Sequence, residues 1–515
     1  MFVKVHTGAI AGIEAVAVTA EVNVAEGGLG LFIVGLPDNT IKESQERIHS
    51  AFENSGYKLK ATKTVVNLAP ADLRKEGSQY DLPIAIGILT ATEQITTDML
   101  SDSMFIGELS LDGTLRPIKG VLPLVAMARE RGLKRVFLPE ENVPEGAVVD
   151  GVETIGITRL VELCEILKGN IPYTPAACNI NTEDNTFVGE YTEDFADVKG
   201  QTIAKRALEI AAAGGHNIIM IGSPGSGKTM LARRMPSIMP PMTMEEALET
   251  TKIHSVAGKI GTHHGLMTSR PFRAPHHLTS QVALIGGGQS PQPGEVSLSN
   301  NGVLFLDEMP EFGRSVLEVL RQPLEDRHIT ISRAKYTVDY PANFTLVAAM
   351  NPCPCGYANH PTRECSCSAA ARHRYRAHIS GPLMDRIDIQ IEVIPVSVSE
   401  MANTKPEESS AEIRKRVTAA REVQLRRFNG LDIHCNAMMN SAMLRKFAPL
   451  DKECSELLER AMTSLELSSR AYDRIIKVAR TIADLEGVEN INKYHIAEAV
   501  SYRKLDREKW VERYL

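Results

Sequence analysis

The sequence predicts an α/β protein in three parts: an α+β first domain, a core built on a parallel sheet, and a helical C-terminal domain. Three observations predict it. The apolar run 217–221 leads directly into Gly222-Ser223-Pro224-Gly225-Ser226-Gly227 and then into Lys228-Thr229, a strand, a glycine-rich turn and a helix start in succession. Apolar runs 302–306 and 344–349 follow, with helical stretches between them, as in a parallel sheet covered by helices on both faces. After Pro406 the pattern is almost wholly helical and rich in charge.

With 515 residues, 43% of them hydrophobic, the chain is long enough for two to four domains with separate cores. Charged residues make up 23%, which argues against wholesale disorder. No apolar stretch is long enough to span a bilayer, and Met1 to His6 lacks the layout of a secretory signal. The expectation is a cytoplasmic protein with no membrane partner. A net charge of −7 argues against a surface that coats nucleic acid everywhere, but not against a local basic groove.

Residues 1–170 read as the first domain. Within it, 16–24 and 63–68 are expected strands and 82–90 an apolar helix. Residues 38–55 are an expected helix with Ile41, Ile48 and Phe52 on one face and Gly56 as its stop. The polar, turn-rich stretch 171–195 reads as a linker. The core is expected over 196–396 and the helical domain over 397–515, with helices at 410–429, 451–465 and 471–486.

The glycine-rich turn has a specific chemistry. Its glycines let backbone N–H groups point at phosphate, and the following helix start adds partial positive charge. Lys228 supplies a full charge for the outer phosphates, and Thr229 offers a hydroxyl to Mg²⁺. Asp307-Glu308 ends the apolar run 302–306. Asp307 is the expected partner of Mg²⁺, and Glu308 the residue that orients and polarises an attacking water. ATP and Mg²⁺ are the expected ligands.

These motifs resemble those of AAA+ ATPases, and the wording around them resembles the magnesium-chelatase-like YifB/ComM family. The matching stretches are Asp197 to Gln201, Arg270 to His277, Pro293 to Leu298, Ala349 to Gly356, Gly381 to Asp388 and Val478 to Asp484. The resemblance implies a P-loop core closed by the helical domain as a lid. It implies that Asn351 senses the γ-phosphate, that Arg386 is an arginine finger reaching into a neighbouring subunit, and that Arg470 is a second sensor in the lid. A finger given in trans requires a homo-oligomer, which the family implies to be a hexamer. The family further implies a helicase that promotes branch migration in homologous recombination and natural transformation, with recombination proteins as partners.

The first domain resembles the proteolytic domain of Lon, with its ribosomal-S5-like fold, through Lys75 to Pro83 and Gly107 to Leu122. Lon uses a serine and a lysine. Asp81 and Leu122 stand at those positions, with Ser78 and Lys119 out of register, so a non-proteolytic relative is expected.

Three basic segments are candidate DNA contacts. Residues 251–294, expected as an insert in the core, hold no Asp or Glu and include Arg270 and Arg273. A hairpin is expected over 327–335, tipped by Arg333 and Lys335, and the third segment is Arg372 to Arg376. Few aromatics are interleaved, which favours sequence-independent backbone contacts to single-stranded, duplex or junction DNA. Cys353, Cys355, Cys365 and Cys367 form two C-x-C pairs that can supply four thiolates to structural Zn²⁺. A motor on DNA is the leading reading; a chelatase-type subunit acting on a protein partner and an ATP-dependent protease are the alternatives.

Overall fold

Apolar and polar residues alternate along Glu14–Ala25, so one face of this strand is buried and the other is partly open. The computed structural model describes residues 1–505 apart from 26, 27, 29, 61, 178–185, 262–264, 289, 290, 334, 335, 359, 361, 397–406 and 504. It divides into two compact units. One comprises Met1–Asn185 with Ala247–Met267, the other Thr186–Glu246 with Thr268–Leu515.

The first unit is a seven-stranded mixed sheet with helices packed on it. Its strand order is Gly30–Val34, Lys63–Ala69, Glu14–Ala25, Phe2–Ala11, Ser103–Phe105, Arg135–Pro139, Glu153–Ile157. Phe2–Ala11 and Glu14–Ala25 form an antiparallel hairpin; the last three strands run parallel. The expected helix is Asn39–Asn54. Asp38 caps it by accepting from the Ile41 amide at 2.8 Å, and Ile41, Ile48 and Phe52 are fully buried. Asp81–Ala91 is buried all round, which explains why it shows no amphipathic period.

Part of the expected insert belongs to this first unit. Residues 247–267 bring Leu248 and Leu266 against its apolar core, and Ser255 hydrogen-bonds the buried Glu145 carboxylate. Lys252, one of the cations of the expected basic insert, is paired with Glu14 at 2.8 Å. The segment therefore packs as core in place of projecting from the ATPase domain. At the other boundary, Thr186–Phe187 pairs with Met242–Thr243, so the end of the expected linker is a strand of the second unit.

The second unit contains a five-stranded, all-parallel sheet. Its order is Phe272–Arg273, Val303–Leu306, Thr345–Met350, Ile218–Ile221, Ile389–Glu392. All four residues of Ile218–Ile221 and all six of Thr345–Met350 are buried, the continuous apolar run expected of central parallel strands. Asn217 ties three strands at one end. Its backbone N–H donates to Asp388 Oδ2 at 3.0 Å, its side-chain oxygen accepts from the Leu346 amide at 2.9 Å, and its Nδ2 donates to the Arg386 carbonyl at 3.1 Å.

The C-terminal helices Ser410–Arg427, Lys452–Leu465 and Ser469–Leu485 share one continuous apolar core with the sheet's helices, through Val417, Ile475, Ala479 and Ile482. A buried charge cluster ties the first of these helices to the last. Asp484 accepts from Arg427 at 2.8 and 2.5 Å, from Arg480 Nε at 3.1 Å and from Asn436 at 2.8 Å. Removing one partner of such a cluster leaves uncompensated buried charge, at a cost of about 3–5 kcal/mol. Asp484→Ala is therefore expected to lower the urea midpoint of the second unit sharply, whereas a change at exposed Glu456 leaves it in place.

Candidate nucleotide and metal sites

The glycine-rich loop needs backbone shapes that side chains resist. Gly225 and Gly227 have φ of 78° and 92°, and a Cβ on Gly222 would lie 2.3 Å from the Val393 carbonyl oxygen. Lys228 then opens the helix Lys228–Ile238. Its ammonium donates to the Gly222 carbonyl at 2.6 Å, the Ser223 carbonyl at 3.0 Å and Asn351 Oδ1 at 3.3 Å. Burial lowers its pKa, with Asp307 and Glu308 pulling the other way. The hydroxyls of Ser223 and Ser226 are buried in the loop without a hydrogen-bond partner among the described residues, polar capacity of the kind a phosphate takes up.

The strand order puts the acidic pair across from this loop. Thr229 Oγ1 donates to Asp307 Oδ2 at 2.7 Å, so the two expected Mg²⁺ ligands already face each other. Glu308 follows with φ of 51°, a left-handed conformation that costs a non-glycine residue energy and is common at active sites. Its carboxylate is half exposed and lies 3.8 Å from His277 Nδ1. Asn351 directly follows the intervening strand Thr345–Met350 and accepts from the lysine. The sequence motifs for phosphate loop, acidic pair and Asn351 thus come together in one place.

Several expected site residues do not. Arg270 is buried, and its guanidinium is used up by the carbonyls of Pro240, Asn301 and Pro241 and by Glu246 at 2.9 Å. In this chain it holds the fold together. Arg273 forks onto Glu295 at 2.6 and 2.8 Å, so its charge is neutralised within the chain. Arg386 is also buried; it pairs with Glu325 at 2.5 Å and donates to the Pro382 carbonyl at 2.6 Å. Arg470 is exposed and lies 3.4 Å from Asp385. The helix Ala369–Ala377 carries the third basic segment, and its Arg372 is buried. The strands His328–Arg333 and Tyr336–Pro341 pair as a hairpin, but its first strand alone takes up the range 327–335 expected to hold both; Lys335 lies outside the described residues.

Two residues to which the sequence assigned no role, though both lie in stretches that match the family, join the site. Gln201, with φ of 53°, donates to the Ser226 carbonyl at 3.3 Å and the Ile394 carbonyl at 2.7 Å, bracing the phosphate loop. His277 meets Glu308 only because the Phe272–Arg273 strand lies beside Val303–Leu306.

The four cysteines converge. Their sulfurs all lie within 4.8 Å of one another, with Cys353–Cys355 at 3.3 Å and Cys365 at 3.6 Å from each of these. A tetrahedral site with metal–sulfur bonds of about 2.3 Å needs sulfurs roughly 3.8 Å apart, so the cluster could hold a metal ion. In the first unit the Lon-type positions are occupied differently. Asp81 is buried against Arg47 at 2.6 and 2.8 Å, Leu122 is buried in the core, and the Ser78 hydroxyl is hydrogen-bonded to Glu108. A carboxylate partner leaves that serine without the lysine base Lon uses.

A phosphate loop, an acidic pair and a polar strand end on one parallel sheet define a P-loop ATPase module of AAA+ type. Residues 194–401 match the family described as magnesium chelatase, subunit ChlI; residues 20–142 match subunit ChlI of Mg-chelatase, and 407–503 its C-terminal part. The competence protein ComM of Haemophilus influenzae is 43% identical over 505 residues, covering 98% of this chain and 97% of that protein. YifB of Escherichia coli is 43% identical over 506 residues, with the same coverage of 98% and 97%. The chain belongs to the YifB/ComM family of magnesium-chelatase-like proteins. Lon protease 2 of Bacillus subtilis is 29% identical over 147 residues, 28% of this chain and 26% of that one, in keeping with a Lon-like first domain.

Lys228→Ala is expected to abolish binding of a fluorescent ATP analogue. Glu308→Gln is expected to keep that binding while hydrolysis falls by about 10²–10⁴-fold, the usual contribution of a positioned base. Arg270→Ala is expected to lower thermal stability, which a residue acting only on DNA would leave unchanged.

Proposed function

We propose that the chain is an ATP-driven, homo-hexameric DNA motor that promotes branch migration during homologous recombination, including integration of DNA taken up in natural transformation. The observation that carries this reading is its near end-to-end similarity to a competence protein, in a chain whose ATPase residues are assembled. Lys228 and the loop amides bind the phosphates. Thr229 and Asp307 hold Mg²⁺, which neutralises charge on the outer phosphates. Glu308 accepts the proton of the attacking water, and Asn351 orients the γ-phosphate side of the site. Arg470, exposed at the start of its helix, is the proposed lid sensor. Hydrolysis moves the hairpin His328–Arg333/Tyr336–Pro341, with Arg333 and Lys335 holding the DNA backbone in the ring's channel. The metal in the cysteine cluster is proposed to be zinc.

A chelatase-type ATPase subunit acting on a protein partner is the second reading, favoured by the match of residues 194–401 to subunit ChlI. ATP hydrolysis measured with single-stranded, duplex and four-way-junction DNA at matched salt separates the two. The motor reading expects stimulation that vanishes in Lys228→Ala. Equal rates with and without all three DNAs would replace it with the chelatase-type reading.

Replacing Arg333 and Lys335 together by alanine is expected to weaken DNA binding across all sequences. The slope of log affinity against log salt should flatten by about 0.9 for each phosphate that the variant no longer neutralises. Metal analysis of purified protein is expected to find one zinc per chain.

A further inference from the structure

The cysteine cluster closes a loop between two pieces of chain that both serve the nucleotide site. Cys353 and Cys355 follow Asn351 almost directly, and Cys365 and Cys367 directly precede the helix Ala369–Ala377. That helix returns against the strand end. Tyr375 is partly buried there, close enough to the Asn351 backbone N–H for that group to ease the upward shift that burial gives its phenol. Arg376 Nη2 donates to the Pro352 carbonyl at 3.2 Å. Just past the helix, His378 Nδ1 donates to the Pro310 carbonyl at 2.6 Å, two residues beyond Glu308. The loop also touches the phosphate loop: a Cβ on Gly356 would sit 2.6 Å from Pro224 Cδ and 3.9 Å from Asn351 Cγ. Asn351 in turn accepts from Lys228 at 3.3 Å.

We infer that the four-thiolate site is a strut for ATP hydrolysis: a thiophilic metal bound there holds Tyr375 against Asn351, and Tyr375 is a positioning residue for the reaction. The inference rests on the metal reading proposed above. An ion held by two thiolates from each side fixes the start and end of the loop relative to each other. The helix is then confined to the one placement in which its phenol meets Asn351 and its flank meets Pro310. Without the ion, the two ends are joined only by their weaker hydrogen bonds. Phosphate binding depends on the loop amides and Lys228, so ATP still binds. Hydrolysis depends on the alignment of Asn351 and Glu308 with the γ-phosphate, and small misplacements there are costly.

The test uses the full-length protein in three forms: zinc-loaded, chelator-treated with chelator removed and Mg²⁺ restored, and Tyr375→Phe. Zinc content, kcat, KM and binding of a fluorescent ATP analogue are measured on each, with unfolding midpoints as a control for folding. The expected result is a kcat lower by about tenfold or more in the chelated protein, on the order of what misaligned groups cost, with analogue binding little changed and kcat restored by added zinc. Tyr375→Phe should retain its zinc and its midpoint yet show the same fall in kcat. Full-rate hydrolysis by protein that has lost its zinc would overturn the strut while leaving the metal site standing. Protein that never holds a metal would overturn both. Full-rate hydrolysis by Tyr375→Phe would overturn the positioning role.

Discussion

The site depends on one pairing arrangement: the strand ending in Asn351 lies between the phosphate-loop strand and the strand ending in Asp307. Parallel pairing makes all three strands finish at the same edge, so their last residues face one another without any contribution from long loops. Asn217 sets the register at the other end, where its backbone and side chain bond to both neighbouring strands. If that register slipped by one residue, Lys228 and Asn351 would no longer meet. The buried, near-continuous apolar strands are therefore what give the polar residues their geometry.

A second theme is how many cations this acidic chain uses internally. Arg270, Arg386, Arg480 and Arg427 all end on carboxylates or carbonyls inside the second unit. Arginine suits this work because its planar fork can satisfy several acceptors at once. It also means that a count of basic residues overstates the positive surface. Residues 251–294 hold no acid and read as a basic insert in sequence, yet Lys252 and Arg273 are each neutralised by a glutamate elsewhere in the chain.

The elements with strong periodic or motif signals are legible in the sequence: the helix from Asn39, the strand before the phosphate loop, the acidic pair and the last helices all fall close to where pattern places them. The hairpin is legible only in its first strand, since Tyr336–Pro341 lies beyond the stretch expected to hold both strands. What a linear pattern does not carry is partner choice across long separations. Nothing local to Arg270 announces Glu246, and nothing near Arg386 announces Glu325. His277 and Gln201 join the site for the same reason, through contacts with no fixed spacing. The domain boundary is hidden because residues 247–267 are neither polar enough to read as a loop nor long enough to read as a domain.

That hidden boundary has a consequence for how the chain comes off the ribosome. The first unit is not finished when its sheet has been made, because Leu248, Ser255 and Leu266 arrive only after the phosphate loop has been synthesised. At roughly 5–20 residues per second, the nascent sheet waits on the order of ten seconds with part of its core uncovered. During that interval the first-made strand of the ATPase sheet already exists, so synthesis of the second unit begins before the first is complete, and the early chain is the stage at which a chaperone has most to hold.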